Sequence, residues 1–156
     1  KLILDLRNNP GGRLDTAIDM SGEFVTKKDA VVQQEDPNGR RQQFYAEADG
    51  RLQNLKVVVL INKGSASASE IVAGALKDYK KATLIGETSF GKGTVQAVTE
   101  LKDGSGLHIT VAKWLTPKGI WVHGKGIVPD QEVKRSEADI EAQKDPQMDK
   151  AKELLR

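Results

Sequence analysis

The run "NKGSASASEIVAGALKDY", Asn62 to Tyr79, sets three serines, Ser65, Ser67 and Ser69, just before a segment with helical apolar spacing. A serine there can cap the helix. Ser67 and Glu70 stand in the S-x-x-E spacing of a capping box, in which the hydroxyl accepts a first-turn N–H and the glutamate reaches back. A serine there can also attack a carbonyl. A buried strand entering a helix through a small-residue turn exposes a hydroxyl beside free N–H groups able to hold an oxyanion. Ala66 and Ala68 leave room for a substrate, although the run is not the G-x-S-x-G elbow. At this point both readings stand.

An attacking serine needs a base. The chain has two histidines and no cysteine. His108, in "LHITVAKW", reads as an ordinary strand residue, and His123 lies in a glycine-rich stretch; neither sits in an H-E-x-x-H metal pattern. The other candidate is a lysine, because Ser-Lys pairs work where the amine is desolvated enough to be neutral near working pH. Lys92, in "SFGKGTVQ", has glycines on both sides and is expected between buried strands. Its plain alternative is a solvated loop lysine.

The same stretch, Gly86 to Lys92, fits G-x-x-x-x-G-K and so admits P-loop-like nucleotide binding with magnesium. Two features oppose that. Gly93 occupies the place of the metal-holding Ser or Thr, and "TVQAVTEL" reads as a strand, leaving no helix N-terminus for phosphates.

The elements that must position these residues follow from periodicity. "KLILDL" reads as a strand entering the turn-rich "RNNPGG". Apolar residues at 17, 18, 20, 24 and 25 predict a helix over 15–25. "AVVQQ" and "RQQFYA" around "DPNG" predict a hairpin, and "TVQAVTEL" and "LHITVAKWL" around "KDGSG" a second. "KVVVLIN" and "ATLIG" read as strands buried on both faces. Ala68, Ile71, Val72, Ala75, Leu76 and Tyr79 mark the buried face of the helix between them. "GIWVHGKGIVPD" is expected to be strand-like in pieces, and Pro146 to Arg156 a short mixed-charge helix. This order predicts an α/β layer fold, parallel in its middle with antiparallel hairpins attached.

The totals agree with one folded domain: 156 residues, 38% hydrophobic and 29% charged. A net charge of +2 with 4% aromatics argues against nucleic-acid partners. No apolar run approaches the ~20 residues of a membrane span. Membrane association is otherwise unread. The opening on "KLILDL", without an initiator methionine, is expected to be the interior of a longer protein.

With "DLRNNPGG", "GSASASEIVAGAL", "GETSFGKGTVQ" and "KWLTPKG…GKGIVPD" in this order, the chain resembles the C-terminal processing peptidases, also called tail-specific proteases. The resemblance covers most of the chain and is weakest in the polar hairpin and the last twenty or so residues. It implies a Clp protease and crotonase type α/β core of strand-strand-helix units. Residues 1–156 would form a single peptidase core domain with a helical tail over 135–156, lacking the family's PDZ domain and N-terminal parts.

Residue by residue, the resemblance implies Ser67 as nucleophile, Lys92 as general base and Gln96 as the residue orienting the lysine. It implies backbone N–H groups of Ala68 and of Gly11 or Gly12 as the oxyanion hole. It implies protein or peptide substrates with flexible C-terminal tails, no metal or cofactor, and an extracytoplasmic setting such as periplasm, bacterial cell surface or thylakoid lumen. A homo-oligomer is compatible with it. So is a non-catalytic binding module, if the missing parts are needed to form the site.

Overall fold

The structure is a computed structural model that describes residues 1–156. Its centre is a four-stranded parallel sheet in the order β1-β4-β5-β8. β1 (Leu2–Asp5) pairs with β4 (Val57–Ile61), β4 with β5 (Ala82–Gly86), and β5 with the two-residue β8 (Gln131–Glu132).

All five residues of β4 are buried, and the alternation of a strand explains why. Val57, Val59 and Ile61 share one cluster with Ala17 of α1 (Leu14–Gly22) and with Ile71, Val72, Ala75 and Leu76 of α2 (Ala68–Asp78). Val58 and Leu60 face the other way, with Ile85, against Ala151 and Leu155 on and just beyond α4 (Pro146–Leu154). Helices on both faces make a strand that reads as a continuous apolar run.

The two hairpins join into a second, antiparallel sheet, β3-β2-β7-β6. It comprises β2 (Ala30–Glu35), β3 (Arg41–Tyr45), β6 (Thr94–Glu100) and β7 (Gly106–Leu115). β2 pairs with β7 through Gln33 to Glu35. A bulge interrupts the β6–β7 ladder between Val95 and Gln96.

Several expectations are amended. α1 begins at Leu14 and ends at Gly22, so the buried Phe24 and Val25 lie beyond it in a turn. α2 is buried almost all round, Ser69, Glu70, Ala73 and Gly74 included, because elements cover it on more than one side. "GIWVHGKGIVPD" holds one bridge residue, Trp121, paired with Leu115, and one turn at His123–Lys125, and is otherwise irregular. β6 is not buried: its residues from Gln96 to Glu100 are exposed. The region 135–156 carries a short α3 (Glu137–Glu141) besides α4.

Candidate active site

Ligands of parallel α/β sheets gather at the carboxyl ends of the strands. Here the loops leaving β1 and β4, which are neighbours in the sheet, are stapled together. Asn8 N–H donates to Asn62 Oδ1 and Asn62 Nδ2 to Asn8 Oδ1, both at 2.9 Å. Ser65 Oγ donates to Leu6 O at 2.7 Å, and Ala66 N–H to Asn9 O at 3.0 Å.

The stapling separates the three serines. Ser65 is buried with its hydroxyl committed to Leu6, and Ser69 is buried within α2. Ser67 is half-buried, with φ 55° and ψ −117°, and its side chain makes no cap hydrogen bond. A positive φ is costly for a residue with a Cβ, of order 1–3 kcal/mol, and persists only where the surroundings impose it. Ser67 and Glu70 stand in the expected capping-box arrangement, but only the glutamate half carries a hydrogen bond. Glu70 Oε2 accepts from Ser67 N–H at 2.9 Å, while Glu70 N–H bonds the Ser67 carbonyl at 2.8 Å.

Gly11 lies directly under this turn with φ 97°. A Cβ there would sit 2.5 Å from Ala66 O, 2.7 Å from Ala68 N and 2.9 Å from Ser67 Cβ, so only glycine fits. Its N–H donates to Asn9 Oδ1 at 3.0 Å. The N–H groups of Gly12 and Ala68 find no acceptor within the protein.

Ser67, Ala68, Gly12, Lys92, Gln96 and His108 line one cleft of about 340 Å³, together with Ile71, Val98, Trp114 and others. No carboxylate lines it. Lys92 is half-buried and is held only through its backbone, leaving its amine without an ion-pair partner. Gln96 is exposed and shares the cleft without a hydrogen bond to the lysine. A second, mostly apolar pocket of about 320 Å³ opens on the other side of Gly12 and Ala68, between Leu6, Ala17, Met20 and Val72.

Two residues matter more than the sequence alone indicated. Glu70 is fully buried, and its carboxylate ties the two sides of the cleft together. Besides Ser67 N–H it accepts from Lys92 N–H at 2.9 Å, Gly91 N–H at 2.7 Å and Ser89 Oγ at 2.6 Å. The S-x-x-E spacing was its one signal, and that spacing points to Ser67 alone. These bonds also remove the phosphate-loop alternative: the N–H groups of Gly91 and Lys92 already have a carboxylate, and a strand follows.

Arg7 is the other. It donates to Asp5 at 2.7 and 2.9 Å, to Asp145 at 2.8 Å and to the buried Gln147 at 2.9 Å, tying the root of the glycine loop to α4. The Arg7 hydrogen bond holds the Asp145 carboxyl below the usual carboxylate range. The Asp5 partnership raises the Arg7 guanidinium further above its ordinary value.

Residues 1–133 match the sequence profile of peptidase family S41. The probable CtpA-like serine protease of Staphylococcus saprophyticus is 48% identical over 136 residues, which cover 85% of this chain and 27% of that protein. The solved photosystem II D1 C-terminal processing protease superposes with a TM-score of 0.72 at 37% identity, over 85% of this chain and 34% of its own. A putative peptidase from Parabacteroides merdae superposes over 99% of this chain and 51% of its own, with a TM-score of 0.79; at 23% identity it speaks for the fold alone. The chain spans about a quarter of the length of the curated relatives it matches.

Proposed function

The chain belongs to peptidase family S41, and from that premise we propose that it is the catalytic core of a serine endopeptidase cleaving proteins near their C-termini. Ser67 Oγ attacks the scissile carbonyl and Lys92 takes its proton, then returns it to the leaving amine. The N–H groups of Ala68 and of the glycine loop stabilise the oxyanion, and water hydrolyses the acyl-enzyme. Gln96 orients the lysine once substrate closes the cleft.

The observation that carries this reading is the strained Ser67 turn, whose hydroxyl is left uncommitted in the cleft that also holds Lys92. Within the glycine loop, Gly12 is the donor the hydrogen bonding favours, since Gly11 N–H is engaged by Asn9. The apolar pocket beyond Gly12 and Ala68 suits an uncharged side chain on the acyl side of the cleaved bond. An extracytoplasmic setting is carried by the family resemblance, and cell fractionation checks it. No helix is long and apolar enough to cross a membrane.

The test is hydrolysis of a protein with a flexible, apolar C-terminal tail. Ser67→Ala and Lys92→Ala are each expected to abolish cleavage, and mass spectrometry after an activated acyl substrate is expected to find the adduct on Ser67. Retained activity in either variant overturns the dyad. Because Lys92 must be neutral to accept a proton, the rate rises with pH across the alkaline limb. His108 shares the cleft and supplies the competing base. Activity that survives Lys92→Ala and is lost in His108→Ala moves the role there.

A further inference from the structure

The lysine side of the cleft rests on an exposed hairpin, yet the backbone at Lys92 is held from three directions. Glu70 takes its N–H. The Trp114 indole Nε1–H donates to the Lys92 carbonyl at 2.6 Å, and the Trp121 indole Nε1–H donates to the Gly93 carbonyl at 2.8 Å. The Gly93 carbonyl also accepts Trp114 N–H at 3.2 Å. Gly93 lies flush on this surface: a Cβ there would come within 3.0 Å of Trp121 Nε1 and 2.7 Å of His123 N.

Trp121 is in turn fixed by its neighbours. His123 stacks on it with ring centroids 5.3 Å apart, and Lys113 Nζ lies 4.8 Å from the ring centroid on one face. Trp114 is 2% exposed, whereas Trp121 is 38% exposed. The chain has two tryptophans in all, and both spend their single donor on consecutive carbonyls of one loop.

We infer that Trp114 and Trp121 are positioning residues that set where the Lys92 amine stands, by clamping the peptide units on its carboxyl side. The inference rests on the proposed role of Lys92 but is read without it. Phenylalanine keeps most of the ring and removes the donor. Trp121→Phe, at the half-exposed site, tests the clamp with little risk to folding, and Trp114→Phe tests the shorter bond.

The first readout is NMR of the 156-residue chain with lysine labelled at Cε, Lys92 being assigned by its loss in Lys92→Arg. Each tryptophan variant is expected to move the Lys92 titration midpoint and broaden or narrow its resonance, with the other lysines unchanged. The second is kinetics. The turnover number is expected to fall on the order of 10–100-fold with KM nearly constant, the scale for a misplaced catalytic group, and the alkaline limb of the pH profile to shift with the NMR midpoint.

An unchanged Lys92 resonance and titration in both variants overturns the clamp. So does a loss of activity that tracks only a fall in melting temperature. If Ser67→Ala keeps its activity, the dyad fails, and the clamp is still decided by the Lys92 titration.

Discussion

The two sides of the cleft are built differently. Ser67 follows β4, whose five residues are buried between helices on both faces of the parallel sheet. Lys92 precedes β6, the outer strand of the antiparallel sheet, whose residues from Gln96 to Glu100 are exposed. The strand beneath the serine turn cannot move without opening the core, and the hydrogen bonds to Asn8, Leu6, Asn9 and Glu70 set the turn upon it. The lysine turn stands at the foot of a hairpin that is exposed beyond it; of the core it meets the buried Trp114, and its N–H to Glu70 and the indole donors of Trp114 and Trp121 fix it there. The two sides thus differ in the strand they adjoin, a fully buried one for Ser67 and a largely exposed one for Lys92, while both are pinned by polar ties.

Glu70 joins the halves, so its removal should have the largest effect. Glu70→Ala strands the buried donors it serves, each worth about 1–3 kcal/mol when left unsatisfied. Urea unfolding is expected to show a loss of at least about 3 kcal/mol together with lost activity. Stability within 1 kcal/mol of the parent would mean the two halves are not joined there.

The contrast in packing is tested by a pair of truncations. Leu60→Ala, within the parallel sheet, should cost about 2–5 kcal/mol. Val98→Ala, on β6 with 64% exposure, should stay within about 0.5 kcal/mol. Equal costs would erase the distinction.

A narrower test separates the two glycines under the serine turn. Gly11→Ala forces a Cβ against Ala66 O and Ala68 N in a left-handed conformation, and should cost about 1–3 kcal/mol and most of the activity. Gly12→Ala meets nothing within 4 Å and should leave stability nearly unchanged. A destabilisation as large at Gly12 as at Gly11 contradicts the packing described.

The smallest expected effect is acid sensitivity at α4. The Arg7 hydrogen bond depresses the folded-state value for Asp145 below the ordinary 3.8. Its contribution to stability is therefore present above that ordinary value and is lost as pH falls through the depressed one. Urea midpoints measured from pH 5 down to pH 2 should fall less steeply in Asp145→Asn than in the parent. Parallel curves would show that this tie contributes nothing.

Much of this was legible in the residues. The strands at "KVVVLIN" and "ATLIG", the helix between them and both hairpins declare themselves by period and turn chemistry. The candidate pair was legible only in part. A lone serine before a helix reads as a cap, and Lys92 lies 25 residues further along (92 minus 67), so neither identifies the other. Local pattern could not show that β6 is exposed, because "TVQAVTEL" has the composition of a half-buried strand and exposure depends on what packs against it. Nor could it find the clamp, since Trp114 and Trp121 are 22 and 28 residues from their acceptors.

By itself, then, the sequence determined the elements, the α/β order and the turn residues at which a reactive group could stand, because these follow from spacing of 2 or 3.6 and from what glycine and proline permit. The tertiary structure alone decided which serine shares a cleft with Lys92, that Glu70 serves both sides of that cleft, that the two hairpins form one sheet, and that the lysine loop is held by indole donors. Those are contacts between residues distant in the chain, and no local period encodes them.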